Sequence, residues 1–210
     1  MSRKTVYLYI NGLSNGAVST KDRIAKWWWR RGDLQLEMFE VDWYRYSLDE
    51  LERQVLVRVN ELLWTYEHVV LIGVSAGGSL ALNVFVQIAE QDVVLVLAHA
   101  RLKSGNYPAN SRMSLGRRAK IGTNHESLAF RDSVEKAESK STPLLSGEMK
   151  NKILNLVQLT DCVVAPRLMQ LADVKTHHSF AFGHFGGYIA HMFADRNIIR
   201  DFVNKSVKTR

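Results

Sequence analysis

The chain has 210 residues, which suits one α/β domain with a single sizeable core and is too short for two domains of ordinary size. Hydrophobic residues make up 46% and charged residues 23%, with three prolines and no biased tract, a composition that excludes extended disorder. The net charge is +7, and residues 101–150 hold ten Lys or Arg against five Asp or Glu. This basic segment shows no interleaved aromatic residues of a nucleic-acid module, so no nucleic-acid partner is expected.

Membrane and redox signals are weak. No apolar run approaches the roughly 20 residues that a membrane span needs, and the apolar run 5–10 ends too early for a signal peptide. A single cysteine, Cys162, excludes an internal disulfide and is more typical of a buried thiol than of a nucleophile. We therefore expect a cytoplasmic protein without a membrane span, while the sequence gives no oligomeric state.

Short apolar runs alternate with helical patterns, which predicts a parallel sheet covered by helices on both faces. The predicted strands are 5–10, 34–41, 69–72, 93–98, 153–159 and 174–180. The predicted helices are 20–31, 47–66, 77–91, a short one at 166–172, and 187–205. After the strand 93–98 the pattern breaks, and we interpret 101–150 as a basic insertion, or lid, within a single domain covering 1–210.

Three consecutive tryptophans, Trp27, Trp28 and Trp29, fall in the first predicted helix. Three neighbours span about 200° of a helix, so they cannot all face the core. We interpret them as two buried rings and one surface ring. The alternative is a partner or membrane interface, which Arg30 and Arg31 beside them would favour.

The strongest chemical signal is Gly73-Val74-Ser75-Ala76-Gly77, which directly follows a buried strand. Glycines two residues before and after the serine let strand and helix approach each other through a sharp turn, which presents the hydroxyl above the sheet. The pattern is typical of a nucleophile elbow. The alternative is a turn serine with a purely structural role.

A serine nucleophile needs a histidine to take its proton and a carboxylate to orient that histidine. Asp161 follows the strand 153–159, and His184 lies between glycines in a predicted loop after the strand 174–180. Ser75, Asp161 and His184 thus follow the C-terminal ends of parallel strands, where open α/β sheets place their sites.

Each of these assignments has an alternative. Asp161 could cap a following helix. The other histidines considered for the base are His99, His125, His177, His178 and His191. His177 and His178 also invite a metal hypothesis, but strand neighbours point to opposite faces, so we expect no metal site and no cofactor.

With its Gly-x-Ser-x-Gly elbow and the order Ser, Asp, His, the chain resembles a small member of the α/β-hydrolase superfamily over about residues 5–205. The resemblance implies a three-layer α/β/α sandwich with a mostly parallel sheet of about six strands. The chain begins at the family's third strand, so the first hairpin is expected to be missing. The residues Asn11-Gly12 stand where the family has His-Gly.

The resemblance also implies an oxyanion hole formed by the backbone N–H groups of Leu13 and Ala76. Backbone donors do not depend on side-chain identity, so the asparagine at position 11 does not abolish such a hole. The implied activity is cleavage of an ester or thioester through an acyl-enzyme, on a small acyl substrate that is anionic if the basic segment faces the pocket. The alternatives are an acyltransferase or peptidase with the same triad, or a non-catalytic binding module.

Overall fold

A computed structural model describes residues 5–16, 20–30, 34–105, 127–161, 163–180 and 183–208. Cys162 and His125, which the sequence had singled out, lie outside these residues, as does the middle of the predicted insertion, 106–126. Among the described helices, none is long and apolar enough to cross a membrane.

The described residues form one sheet of six parallel strands in the order β2-β1-β3-β4-β5-β6. The strands are Thr5–Ile10 (β1), Gln35–Phe39 (β2), His68–Val74 (β3), Val93–Ala98 (β4), Ile153–Gln158 (β5) and Lys175–Ser179 (β6). The four central strands are almost continuous apolar runs because both of their faces are covered. The prediction of a parallel sheet of about six strands is confirmed.

Helices connect the strands and form the two outer layers. The first four are Thr20–Arg30 (α1), Leu48–Thr65 (α2), Ala76–Ile88 (α3) and Leu128–Lys136 (α4). Two short helices follow, Gly147–Asn151 (α5) and Pro166–Met169 (α6). The chain then forms Gly183–Ile189 (α7), a π-helical segment at Ala190–Ala194, and Arg196–Lys208 (α8).

Two buried apolar clusters show which helices cover which face. On β1, Val6 and Leu8 belong to a cluster with residues of α2, α3 and α4, whereas Tyr7 and Tyr9 belong to one with residues of α1, α7 and α8. Side chains alternate between the two faces of a strand, so the strands β1 to β5 contribute to both clusters. The result is the three-layer α/β/α sandwich that the sequence predicted.

The segment 127–151 is built into this sandwich. Ser127 caps α4 by accepting a hydrogen bond from the Phe130 N–H, and α4 packs on α3. A polar network joins the two: Asn83 of α3 donates to the Ser133 carbonyl, and Ser141 donates to Asn83. This part of the predicted insertion 101–150 therefore forms the crossover between β4 and β5. A lid formed by the rest stays a prediction.

The three tryptophans of α1 have three different environments. Trp29 is fully buried, Trp28 is partly buried against Phe193, and Trp27 is half exposed. The geometric expectation that the rings cannot all face the core holds, but only one ring is fully buried, where two were predicted. The Arg196 guanidinium stacks over the Trp28 ring at 5.4 Å from its centroid, and this contact covers part of the Trp28 ring.

Candidate active site

Ser75 lies between the last residue of β3 and the first residue of α3, in a backbone conformation with φ 53° and ψ −117°. A residue with a Cβ is strained by about 1–3 kcal/mol in this backbone conformation, so neighbouring contacts must hold the turn in place. The Ser75 N–H donates to the Ala98 carbonyl at 3.1 Å, and the Ser75 carbonyl accepts from the N–H groups of Gly78 and Arg101, also at 3.1 Å. These bonds fix the turn to β4 and α3.

The glycines around Ser75 are required by close contacts. A Cβ at Gly73 would lie 2.7 Å from the Gly77 carbonyl oxygen, and one at Gly77 would lie 2.4 Å from the Ile10 carbonyl oxygen. A Cβ at Gly78 would lie 2.1 Å from the Ala100 Cβ. The helix α3 can approach β1 and β4 this closely only without side chains at these positions, as the elbow pattern predicts.

Gly78→Ala tests this packing without changing any chemical group of the site. We expect the free energy of unfolding to fall by about 2 kcal/mol or more, because the new methyl overlaps Ala100 in a well-packed core. Urea unfolding followed by circular dichroism measures it.

A matched control is Gly147→Ala, since a Cβ at that position meets no atom within 4 Å. This variant is expected to unfold within about 1 kcal/mol of the wild type, or slightly above it. Equal stability of the two variants would show that α3 has room to move away from Ala100.

The structure brings Ser75, His184 and Asp161 into one hydrogen-bonded chain. His184 Nε2 lies 3.0 Å from Ser75 Oγ, and His184 Nδ1 lies 2.6 Å from Asp161 Oδ2. The Asp161 carboxylate is fully buried, whereas the imidazole is about one quarter exposed. A buried carboxylate at this distance fixes the Nδ1–H tautomer, which leaves Nε2 free to accept a proton from the serine.

Asp161 also has the local role that the sequence offered as an alternative. Its Oδ1 accepts hydrogen bonds from the N–H groups of Val163 at 2.7 Å and Val164 at 2.9 Å. The two roles are compatible because each oxygen of the carboxylate serves one of them. The backbone bonds hold the side chain in the orientation that places Oδ2 against the imidazole.

His184 was predicted in a loop before a helix starting at 187, but the structure starts the helix at Gly183. Gly183 adopts φ 68°, and Gly187 packs against Gln158, whose Oε1 would lie 1.4 Å from a Cβ at that position. Gln158 also donates from Nε2 to the Gly183 carbonyl. These glycines allow close packing of a helix and do not mark a loop, so His184 sits in the first turn of α7.

A buried carboxylate holds α7 from the other side. Asp22 Oδ1 accepts hydrogen bonds from the hydroxyls of Tyr9 at 3.1 Å and Tyr188 at 3.2 Å. Burial raises the pKa of Tyr188 and of Tyr9 well above the usual value, so both hydroxyls stay protonated donors. Tyr188 lies one turn after His184, and the cluster therefore anchors the helix that carries the imidazole.

Two of the other histidines lie behind His184. The His99 ring meets the His184 ring edge to face at 4.7 Å between centroids, and His191 stacks on His99 at 5.4 Å. Asp195 pairs with His191 at 2.8 Å and lies 3.6 Å from His177. Among the described residues, no group of three His, Cys, Asp or Glu side chains has the arrangement of a metal site.

The loop between β1 and α1 lies beside Ser75. A Cβ at Gly12 would be 3.3 Å from the Ser75 Cβ and 3.7 Å from Oγ, which places the peptide that precedes Leu13 next to the hydroxyl. Ala76 is the first residue of α3, where backbone N–H groups lack a partner within the helix and form the positive end of its dipole. Both predicted donor positions thus adjoin the serine.

Asn11 has a structural role in this loop. Its Oδ1 accepts from the Val41 N–H at 3.0 Å, and its Nδ2 donates to Ser14 Oγ at 3.0 Å. Ser14 in turn donates to the Val41 carbonyl at 2.8 Å. The residue that departs from the His-Gly pattern therefore ties the loop to the segment after β2.

The chain matches no protein-family model, and no curated protein matches it significantly. Several solved structures, however, align with most of the chain. One of two metagenome-derived lipolytic enzymes, LipS and LipT, aligns with a TM-score of 0.62 and 12% identity over 100% of this chain and 95% of the other. The monoacylglycerol lipase of Paleococcus ferrophilus aligns with a TM-score of 0.59 and 14% identity over 96% of each chain.

An α/β-hydrolase enzyme from sediment of the Mar Chica lagoon in Morocco aligns with a TM-score of 0.62 and 18% identity, over 97% of this chain and 92% of the other. At such identities a structural likeness establishes the fold and leaves the reaction open. The chain has the α/β-hydrolase fold, as the sequence predicted.

Proposed function

We propose that this protein is a serine hydrolase that cleaves esters or thioesters through an acyl-enzyme. The observation that carries the proposal is the chain of hydrogen bonds from Ser75 through His184 to the buried Asp161. Ser75 sits at a strained φ, and strained residues cluster at functional sites. Three residues 23 to 109 positions apart meet in the geometry that activates a hydroxyl.

In the proposed acylation, His184 Nε2 takes the Ser75 proton while Oγ attacks the acyl carbonyl carbon. The tetrahedral intermediate then collapses, and the imidazolium gives that proton to the leaving alkoxide or thiolate. Asp161 accepts a hydrogen bond from Nδ1–H throughout and stabilises the imidazolium, without itself taking the proton. Water attacks the acyl-enzyme with the same base, which releases the acid and restores Ser75.

The negative charge of the intermediate is proposed to be held by the N–H groups of Leu13 and Ala76. Donors fixed in place before the reaction stabilise such a charge without reorganisation in the transition state. The Ala76 donor has the additional field of the α3 N-terminus. The short distance between the Gly12 backbone and Ser75 supports the Leu13 donor.

Carboxylic esters of small molecules are the proposed substrates because they demand least of the leaving group. Two of the aligned structures belong to a lipolytic enzyme and a monoacylglycerol lipase, which supports ester cleavage by analogy. Anionic acyl groups are included among the proposed substrates because of the basic segment 101–150, on the condition that this segment faces the pocket.

A fluorophosphonate probe tests the proposal directly. The folded wild-type protein is expected to gain the mass of one phosphonyl group on Ser75, measured by intact mass spectrometry and peptide mapping. Ser75→Ala should not react, whereas the control Ser206→Ala, a change at a helical serine whose hydroxyl donates to the Phe202 carbonyl, should react like the wild type.

Folded wild-type protein that does not react would instead support the non-catalytic binding module. Reaction of the probe together with transfer of the acyl group to added alcohols, in preference to water, would support the acyltransferase.

A further inference from the structure

We propose that Trp43 is a positioning residue for the oxyanion hole, an inference that rests on the proposed function. The Trp43 indole N–H donates a hydrogen bond to the Gly12 carbonyl at 3.2 Å. Gly12 is the residue whose backbone lies against Ser75. The proposed role is indirect, because Trp43 acts through the peptide group between Gly12 and Leu13.

The geometry of that peptide group determines what the bond does. The Gly12 carbonyl and the Leu13 N–H belong to one planar trans unit, in which the two groups point in opposite directions. A donor that holds the carbonyl therefore also sets the direction of the N–H. If this peptide flipped, the carbonyl oxygen would replace the N–H at the oxyanion position, and two negative oxygens would face each other.

Trp43 is itself held rigidly. Its ring is fully buried and meets Phe130 of α4 edge to face at 5.6 Å between centroids. The Trp43 backbone N–H donates to the Ser14 carbonyl at 3.2 Å, and its backbone carbonyl accepts from the Ser127 hydroxyl. Contacts on both backbone groups and on the ring leave the indole N–H one position, which is suited to a positioning role.

Trp43→Phe removes the N–H and keeps an aromatic ring against Phe130. We expect kcat for a chromogenic ester to fall about tenfold with KM nearly unchanged, because one hydrogen bond is lost and the Leu13 N–H acts mainly on the transition state. The affinity for a trifluoromethyl ketone, which forms a tetrahedral adduct on the serine, should fall by a similar factor.

A matched control separates positioning from packing. Trp29 is also fully buried, meets Tyr7 edge to face at 5.1 Å, and donates from Nε1 to the Met192 carbonyl at 2.6 Å. Trp29→Phe should therefore lower thermal stability to a similar extent and leave kcat and the ketone affinity within about twofold of the wild type. If Trp43→Phe does not fold, the benzothiophene isostere of tryptophan at position 43, which has sulfur in place of N–H, replaces it.

Unchanged kcat and ketone affinity in the folded Trp43 variant would overturn the inference, as would an equal loss of both in Trp29→Phe. Neither result affects the proposed function, which the reaction of the wild type with the fluorophosphonate tests separately. A wild-type protein that neither reacts with the probe nor cleaves esters would overturn both.

Discussion

Ser75→Ala is expected to lower kcat for ester hydrolysis by about 10⁶-fold while the protein stays folded. The proposed reaction forms a covalent bond to Ser75 Oγ, and no other hydroxyl or thiol among the described residues is hydrogen-bonded to the imidazole. The remaining rate would come from substrate binding and the backbone donors alone. Steady-state and single-turnover kinetics on a chromogenic ester measure the loss.

The strain at Ser75 gives this prediction a second readout. Alanine keeps the Cβ at φ 53°, so Ser75→Ala should retain the strained backbone, whereas glycine adopts such a φ easily. We expect Ser75→Gly to be more stable than Ser75→Ala by about 1 kcal/mol, with the same loss of activity. Urea unfolding of the two variants measures the difference.

A rate that falls less than about a hundredfold in Ser75→Ala would show that another group attacks the substrate, since a lost nucleophile costs several orders of magnitude. Equal stability of the alanine and glycine variants would show that the turn stores no strain. The two outcomes are independent, because one concerns the reaction and the other the backbone.

The central strands could be predicted because burial on both faces of a parallel sheet leaves a simple signal. The predicted strands 5–10 and 93–98 have the bounds of β1 and β4. The edge strands β2 and β6 are shorter than predicted, and β6 is largely polar, with His177 and His178 among its five residues. An edge strand pairs on one side only, so its ends depend on local contacts that no apolar run records.

The glycines show where local sequence rules fail. Gly73 and Gly77 were interpreted correctly, because the elbow is a local turn that follows a strand. Gly183 was interpreted as a loop residue and Gly187 as the start of the last helix, whereas the helix begins at Gly183 and Gly187 packs against Gln158. Gln158 lies 25 residues before Gly183, and tertiary contact of this kind overrides the low helix propensity of glycine.

The support of the site was beyond sequence reasoning for the same reason. The bond from Trp43 to Gly12 joins residues 31 apart, and that from Tyr188 to Asp22 joins residues 166 apart. A tryptophan after a strand and an aspartate in the first turn of a helix have ordinary local explanations. The three residues of the proposed triad could be selected from the sequence only because each follows a predicted strand, and parallel strands end at one edge of the sheet.

Asp161→Asn is expected to lower kcat by about 10⁴-fold without unfolding the protein. Asp161 Oδ1 accepts from the N–H groups of Val163 and Val164, and an amide nitrogen cannot accept these bonds. The asparagine oxygen must therefore stay on that side, which turns the NH₂ group towards His184 Nδ1. His184 would then accept at Nδ1 and carry its proton on Nε2, where it can no longer take the proton of Ser75.

The retained backbone bonds make this a test of the tautomer and not of folding, so the melting temperature should stay close to that of the wild type. Asp173→Asn is the matched control, because Asp173 is an exposed carboxylate that pairs with Lys150, and this variant should keep full kcat. A loss of only about tenfold in Asp161→Asn would show that His184 does not depend on Asp161 for its tautomer. Since the buried Oδ2 lies 2.6 Å from Nδ1, that outcome would require another acceptor to hold the imidazole during the reaction.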